Sequence, residues 1–502
     1  MKGILEKTRG TPYLPLPRFL KIGFPLTLLI WGLVLTFWVY GSRSISQTTS
    51  PPPTVPQGFL LHDSEDWMAV YFTDQKIGYA HTIRQRTPKG YILHQDLHLN
   101  IAMLGVPRQI QASLQAQLNL DFEVQGFQFQ LISGYMNFGL RGTKAASGLT
   151  IVTNVMGKPQ SYSFALKEPL HLSLSLPYGL YRRQMKPGDR STFSIFDPTL
   201  MARQAVTVTA GPTEWLTLEG RSYAGQRFEL DFKGIKMQVW IDYKGRVIKE
   251  ESLMGFRLER TTRERAQTMP EGKRLDLPLL VSIPAVNPPA QTPVKKLTLA
   301  LEGLEGSIPQ IPGRQIVSGK KVAIEQESLL PRDTFTLPYE KKDQEAFLAD
   351  HPLLTLNDPR LQKKVAEILG GERDAQQALI RLNRWVYQNL IKRPVLSLPQ
   401  AAVILEQGEG DCNEHATLLL AMLRAARIPS RMALGLVLLK DRFYYHAWVE
   451  ARLGNKWISL DPTFNQFPAD GTHLKLAEGL EDGADLLLKA IGRLQIEVLS
   501  SQ

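Results

Sequence analysis

Cysteine is the scarcest residue of this chain: Cys412 is the only one among 502 residues. An internal disulfide is therefore excluded, and the folded parts must be held together by packed cores. Hydrophobic residues make up 43%, an ordinary globular share, and the length allows two to four domains. In an oxidising compartment the lone thiol would also have no internal partner to quench it. Metal-ligand spacings are equally sparse. Cys412 and His415 stand at i and i+3, but no second cysteine or H-x-x-x-H pair accompanies them, so a zinc site there lacks ligands. No calcium-loop pattern is present, and the expectation is no metal and no cofactor. Charge of one sign is not concentrated along a stripe with interleaved aromatics, which argues against nucleic acid as a partner. The net charge of +11 is uneven instead. Lys2, Lys7, Arg9, Arg18, Lys21 and Arg43 against Glu6 give +5 within the first 43 residues, leaving +6 for the rest.

Long apolar runs are also rare, and one stands out. Ile22 to Tyr40 carries no charge and is interrupted only by Gly and Pro. As a helix, at about 1.5 Å per residue, it spans about 28 Å, close to the thickness of a bilayer core. Basic residues precede it, so residues 1–21 are expected to stay cytoplasmic and the bulk of the chain to be exported. A cleaved signal peptide is the competing reading, but Trp38-Val39-Tyr40 is not a small-residue cleavage site. Residues 41–58, rich in Ser, Thr and Pro with Pro51-Pro52-Pro53, read as a spacer off the membrane.

Residues 59–280 are expected to form a β-rich domain. Trp67–Phe72, Tyr91–His94, Leu114–Leu120, Phe127–Leu131 and Ala205–Thr209 alternate or cluster as strands do, punctuated by Gly and Pro. Met237–Tyr243 and Arg246–Glu251 read as a late hairpin about Lys244-Gly245. The expected product is a large antiparallel sheet, curved or partly closed, with one apolar face. It serves either as a spacer or partner-docking domain or as a ligand carrier. Residues 281–339 are a Pro-rich linker followed by a small β module with strands near Leu297–Leu301 and Val322–Glu325. Residues 340–502 begin with two helices, Asp358–Leu369 and Asp374–Leu390. They are expected to close with a helix over Leu480–Ile491 and a strand over Leu494–Leu499.

The chemistry concentrates between Gly408 and Thr463. Gly408-Glu409-Gly410-Asp411 is turn-like, and Asp411 can cap a helix that opens at Cys412 and ends before Ile428-Pro429. A cysteine in a first helical turn feels the positive end of the helix dipole, which favours thiolate over thiol. Three strands follow, Arg431–Leu439, Phe443–Leu453 and Lys456–Leu460, the last two joined by a turn at Gly454-Asn455. With that turn Leu453 faces Lys456. Continued outward, the register makes His446 and Asp461 diagonal neighbours on one face of the sheet. A slip of one residue would separate them. A thiol, an imidazole and a carboxylate in this order are the parts of a nucleophile, its base and the base's orienter.

The segment resembles the transglutaminase-like superfamily, a papain-like group. The resemblance rests on Gly410-Asp411-Cys412, Glu414-His415, the run from Leu423 to Arg431, His446-Ala447-Trp448-Val449 and Asp461-Pro462-Thr463. It covers roughly residues 340–480 and implies that Cys412, His446 and Asp461 form the catalytic triad. No motif identifies an oxyanion-hole side chain. Gln407 and Trp385 are candidates, and the backbone N–H of Cys412 is the safer donor.

The overall expectation is an α+β protein: a single N-terminal transmembrane helix, a β-rich antiparallel middle domain and a C-terminal transglutaminase-like α+β domain. It would be a single-pass protein of the cytoplasmic membrane with its domains on the periplasmic or extracytoplasmic side. It would hydrolyse or transamidate amide bonds of a protein or peptide substrate through a Cys412 thioester. The alternative is a non-catalytic scaffold of the cell envelope whose β domain recognises an envelope protein partner.

Overall fold

The computed structural model describes residues 61–502 apart from short stretches, of which 394–399 and 481–492 are the longest. The expected transmembrane run Ile22–Tyr40, the flanking segments 1–21 and 41–58, and most of the helix expected over Leu480–Ile491 lie outside the described residues. No helix among the described residues is long and apolar enough to cross a membrane.

The middle of the chain folds into a single 15-stranded sheet. Four of the five segments expected as strands lie within one of them, from Ser64–Phe72 to Ala202–Leu218, and the fifth, Leu114–Leu120, overruns the strand Val106–Leu118 by two residues at the turn that follows it. The chain meanders outward from Ser64–Phe72 to an edge at Lys158–Phe164. It restarts at the other edge, Leu170–His171, and meanders back until Phe256–Thr261 pairs with Ser64–Phe72. This order forces curvature. Laid flat, fourteen inter-strand steps at about 4.8 Å would separate the edges by about 67 Å. The six residue steps from Phe164 to Leu170 reach about 22 Å at most. The sheet must curl until its edges approach, and the rings of Phe164 and Phe196, one from each end of the strand order, lie 5.8 Å apart.

Alternation fills the inside of the curl. Met68, Val70 and Phe72 point inward on one strand, and Phe127, Phe129 and Leu131 do so on another. The short helix Leu176–Arg183 buries Leu176, Tyr178 and Leu180 in the same core, with Tyr178 stacked on Phe122 and Arg84 over its ring. Burial at about 25 cal/mol per Å² makes this apolar interior the main source of the sheet's stability.

A second sheet of nine strands forms the C-terminal part. It combines Ser430–Leu439, Arg442–Leu453, Lys456–Leu460 and His473–Glu478 with Ile283–Val286, Lys296–Glu302, Gln315–Ser318, Lys321–Glu325 and Gln495–Ser501. Strands from the region read as linker and small module thus pair in the same sheet as those around His446. Helices Pro359–Leu369, Ala375–Asn389, Ala401–Gln407 and Cys412–Ala425 cluster against one side, with Leu379, Leu382, Leu419 and Leu423 in a core of their own. The fold is a β-rich middle followed by a mixed C-terminal part. Strand outweighs helix more than the α+β expectation implied, at 52%. The reason is that, among the described residues, the middle meander alone contributes fifteen strands and two short helices.

Candidate active site

The turn before Cys412 is locked by reciprocal capping. The Asp411 side chain accepts from the N–H of Asn413 at 2.9 Å, and Glu414 Oε2 accepts from the N–H of Asp411 at 2.9 Å. The approach is tight enough to require glycine at 410, where a Cβ would fall 2.2 Å from that of Glu414. Cys412 is the first helical residue, and its sulfur accepts the backbone N–H of Ala447. The strand Lys456–Leu460 stops pairing at Val449↔Leu460. Beyond that point the helix N-terminus, not a further strand, meets Arg442–Leu453 at the residue next to His446.

His446 and Asp461 meet as the hairpin parity requires, with Nε2 of His446 2.7 Å from Oδ2 of Asp461. That bond leaves Nδ1 of His446 for another partner. The ladder does not run unbroken to Asp461, however. The chain turns back there, and Asp461 exchanges backbone hydrogen bonds with Gln466, both at 3.0 Å. Its Oδ1 closes the turn by accepting the N–H of Thr463 at 2.6 Å and of Phe464 at 3.1 Å. Phe464 then stacks on the His446 ring at 5.1 Å, with Trp448 on the same strand at 6.1 Å.

A fourth residue, absent from the sequence reading, completes the arrangement. His473 Nε2 reaches the same Asp461 Oδ2 at 2.9 Å, and its Nδ1 faces Asp470 Oδ1 at 3.1 Å. His473 opens the strand His473–Glu478, which reaches His446 across the intervening strand Ser430–Leu439. That strand places Gly435 between His446 and Lys475. A Cβ there would lie 2.0 Å from the Leu474 carbonyl oxygen. Residues of the preceding β module brace the segment: Arg314 donates to the carbonyls of Ala469 and Asp470, each at 2.8 Å, and pairs with half-buried Glu327 at 2.8 Å. No sequence spacing marks His473, because its partners come from a loop and a strand whose placement depends on the whole sheet.

Electrostatics revise one expectation. Burial pushes the Cys412 thiol well above its ordinary value, and the carboxylates of Asp411, Asp461 and Glu414 add to the effect, outweighing the Ala447 N–H. The helix dipole does not make a resting thiolate, because a fully buried sulfur among carboxylates loses more solvation than a helix end restores. Asp461 behaves oppositely. Burial alone would raise it, but His446 and His473 hold it far below the usual carboxylate range. His473 loses to burial yet is lifted to about 9 by Asp461 and Asp470. His415, whose Nδ1 lies 2.7 Å from the carbonyl of Asp411, is pushed down to about 4, chiefly by burial. It is a neutral donor to the turn rather than a metal ligand beside Cys412.

His446, Asp461 and His473 present ligand atoms within 4.8 Å of one another, the only such group among the described residues. Their closest separations, 2.7 and 2.9 Å, are hydrogen-bond lengths. Donors around one tetrahedral ion at about 2.0–2.1 Å would stand farther apart. The donor set fits a hydrogen-bonded relay. Of the two oxyanion candidates, Gln407 is exposed at the end of its helix, and Trp385 packs against the helical core with Lys364 over its ring.

Residues 362–462, about a fifth of the chain, match the model of the transglutaminase-like superfamily, and Cys412, His446 and Asp461 all fall inside the match. No curated protein matches the chain. Among solved structures it is similar to a candidate cysteine protease from Cytophaga hutchinsonii, at 19% identity over 44% of this chain and 85% of that one, TM-score 0.27. It is also similar to the periplasmic domain of TgpA from Pseudomonas aeruginosa, at 14% identity over 56% and 72%, TM-score 0.21. A β-barrel-like protein from Brucella abortus matches at 9% identity over 40% and 97%, TM-score 0.32. Scores this low carry no fold assignment, so the kinship rests on the matched segment.

Proposed function

Because the chain carries a transglutaminase-like domain, we propose that it is a cysteine-dependent enzyme of amide bonds, with Cys412 as nucleophile, His446 as base and Asp461 as the orienter of His446. The observation that carries this reading is the 2.7 Å His446–Asp461 bond on the strand whose next N–H goes to the Cys412 sulfur. In the forward step Sγ bonds to the substrate carbonyl carbon while the thiol proton passes to Nδ1 of His446. The C–N bond then breaks, His446 returns the proton to the leaving amine, and a thioester remains. Water activated by the same imidazole releases the acid and restores the thiol. An amine in its place would give transamidation. Hydrolysis of protein or peptide substrates is the preferred form, and the charge pattern around Ile22–Tyr40 supports an anchored enzyme on the outer side of the cytoplasmic membrane.

One observation favours a second reading. Cys412 is 0% exposed, as an idle core thiol in a binding or scaffolding protein would be, and the curled sheet would then do the recognising. Covalent labelling separates the two. The full chain is treated with a small amide-mimicking electrophile, wild type beside His446→Ala. The enzyme reading expects stoichiometric labelling of Cys412 that collapses in the variant. Labelling that appears only on denaturation would refute it.

A further inference from the structure

His473 is buried at the site, in hydrogen-bond contact with Asp461, and the reaction above gives it no part. We propose that His473 is a positioning residue that shares Asp461 with His446 and thereby keeps the proton on the Cys412 sulfur in the resting site. The proposal rests on the Cys412–His446–Asp461 reading and deepens it. Its first support is geometric. Nε2 of His473 lies 2.9 Å from Asp461 Oδ2 and Nδ1 lies 3.1 Å from Asp470 Oδ1. An ionised carboxylate only accepts, so a ring placed between two of them must carry hydrogen on both nitrogens and is a cation. The lift of His473 to about 9 by those two carboxylates, against burial, agrees.

The consequence falls on His446, which donates to the same oxygen, Oδ2. An orienting carboxylate with no other partner would stabilise an imidazolium and so draw the proton from the thiol. Here that charge is already paired with a buried cation. Transfer of the Cys412 proton at rest would place a second imidazolium on one oxygen, with ring centres of His446 and His473 5.6 Å apart. The other groups around the pair do not offset this. From the helix come Cys412, Asp411, Glu414 and neutral His415, and the Asp411 and Glu414 carboxylates further disfavour thiolate. Thr472 Oγ1 donates to Asp470 and approaches His473 Nδ1 at 3.3 Å. Trp448 and Phe464 close the remaining sides with aromatic surface. Lys475 and Glu450, farther along the same strands, are bonded to each other at 2.6 Å. The thiol proton therefore stays on Cys412 until the substrate arrives and moves as the sulfur attacks.

The test is the pH dependence of Cys412 alkylation by iodoacetamide in the full chain, for wild type, His446→Ala, His473→Gln and Asp470→Asn. His473→Gln retains an N–H donor but no charge, so Asp461 acts on His446 alone. The midpoint of the reactive form should fall by about one pH unit or more, with roughly tenfold faster labelling on the acid side. Asp470→Asn, which loosens the hold of His473 on its second proton, should shift the midpoint the same way by less. A purely structural His473 would instead give a lower labelled fraction at an unchanged midpoint, and an unchanged midpoint in a folded variant overturns the proposal. Should both variants fail to fold, imidazole nitrogen shifts of wild-type His473 at neutral pH decide. Two protonated nitrogens uphold the proposal and one overturns it. If His446→Ala leaves the wild-type profile untouched, the nucleophile reading itself fails, whatever His473 does.

Discussion

Two buried carboxylates on neighbouring parts of the same sheet make an instructive pair. Glu450 lies between Lys475 at 2.6 Å and Arg431 at 2.7 Å, and Asp461 lies between His446 at 2.7 Å and His473 at 2.9 Å. Burial opposes ionisation of both, and in both the two nitrogen partners overcome it. The partners differ in kind. Lys and Arg stay charged across the physiological range, so the Glu450 cluster has one charge state and can only hold strands together. Imidazole changes charge near neutrality, so the Asp461 cluster can take and return a proton while its geometry stays fixed. A shared architecture thus serves cohesion in one place and proton traffic in the other, and the side-chain chemistry alone decides which.

Asp461→Asn attacks the distinction most directly. The amide removes the charge that both imidazoles share, and acyl transfer should fall by about 10²–10⁴-fold, read as the rate of thioester formation under single turnover. Lys475→Met strikes the other cluster by leaving Glu450 buried with one partner fewer. A loss of about 3–5 kcal/mol of stability is expected, measured by chemical denaturation, and the double variant with Glu450→Gln should recover much of it.

The pH dependence of stability sharpens the contrast further. The folded-state pKa of His473 is raised from 6.5 to about 9. Its contribution is therefore fully present below about 6.5 and is lost as pH rises through about 9. The loss amounts to about 3 kcal/mol. Denaturation midpoints should decline over that window in wild type and decline less in His473→Gln, whereas Lys475→Met should keep the slope. The smallest effect is expected at the strand between the clusters. A methyl group in Gly435→Ala meets the backbone of Leu474 at 2.0 Å, which no side-chain rotation relieves. It should cost about 1–3 kcal/mol and, by moving His473–Glu478 away, slow Cys412 alkylation.

Local rules made much of this legible in the chain. Asp411 before Cys412 gave the helix start, and the Gly454-Asn455 turn gave a register whose parity brings His446 to Asp461. Alternating residues such as Met68, Val70 and Phe72 announced the β domain. Each of these signals acts within a few residues, through capping, turn geometry or the two-residue period of a strand. The state of the thiol is not legible in the same way, because a helix end is a local feature, whereas desolvation is set by everything that surrounds the sulfur.

The sequence by itself determined the nucleophile candidate, its partners in order, and the strand and helix types that carry them. Only the tertiary structure decided that the fifteen-strand meander curls on itself, that residues 283–325 join the sheet of the site, and that His473 shares Asp461. The physical reason is range. Capping and parity are fixed by neighbours along the chain, while sheet closure, burial and the meeting of His446 with His473 across Ser430–Leu439 depend on contacts between distant segments.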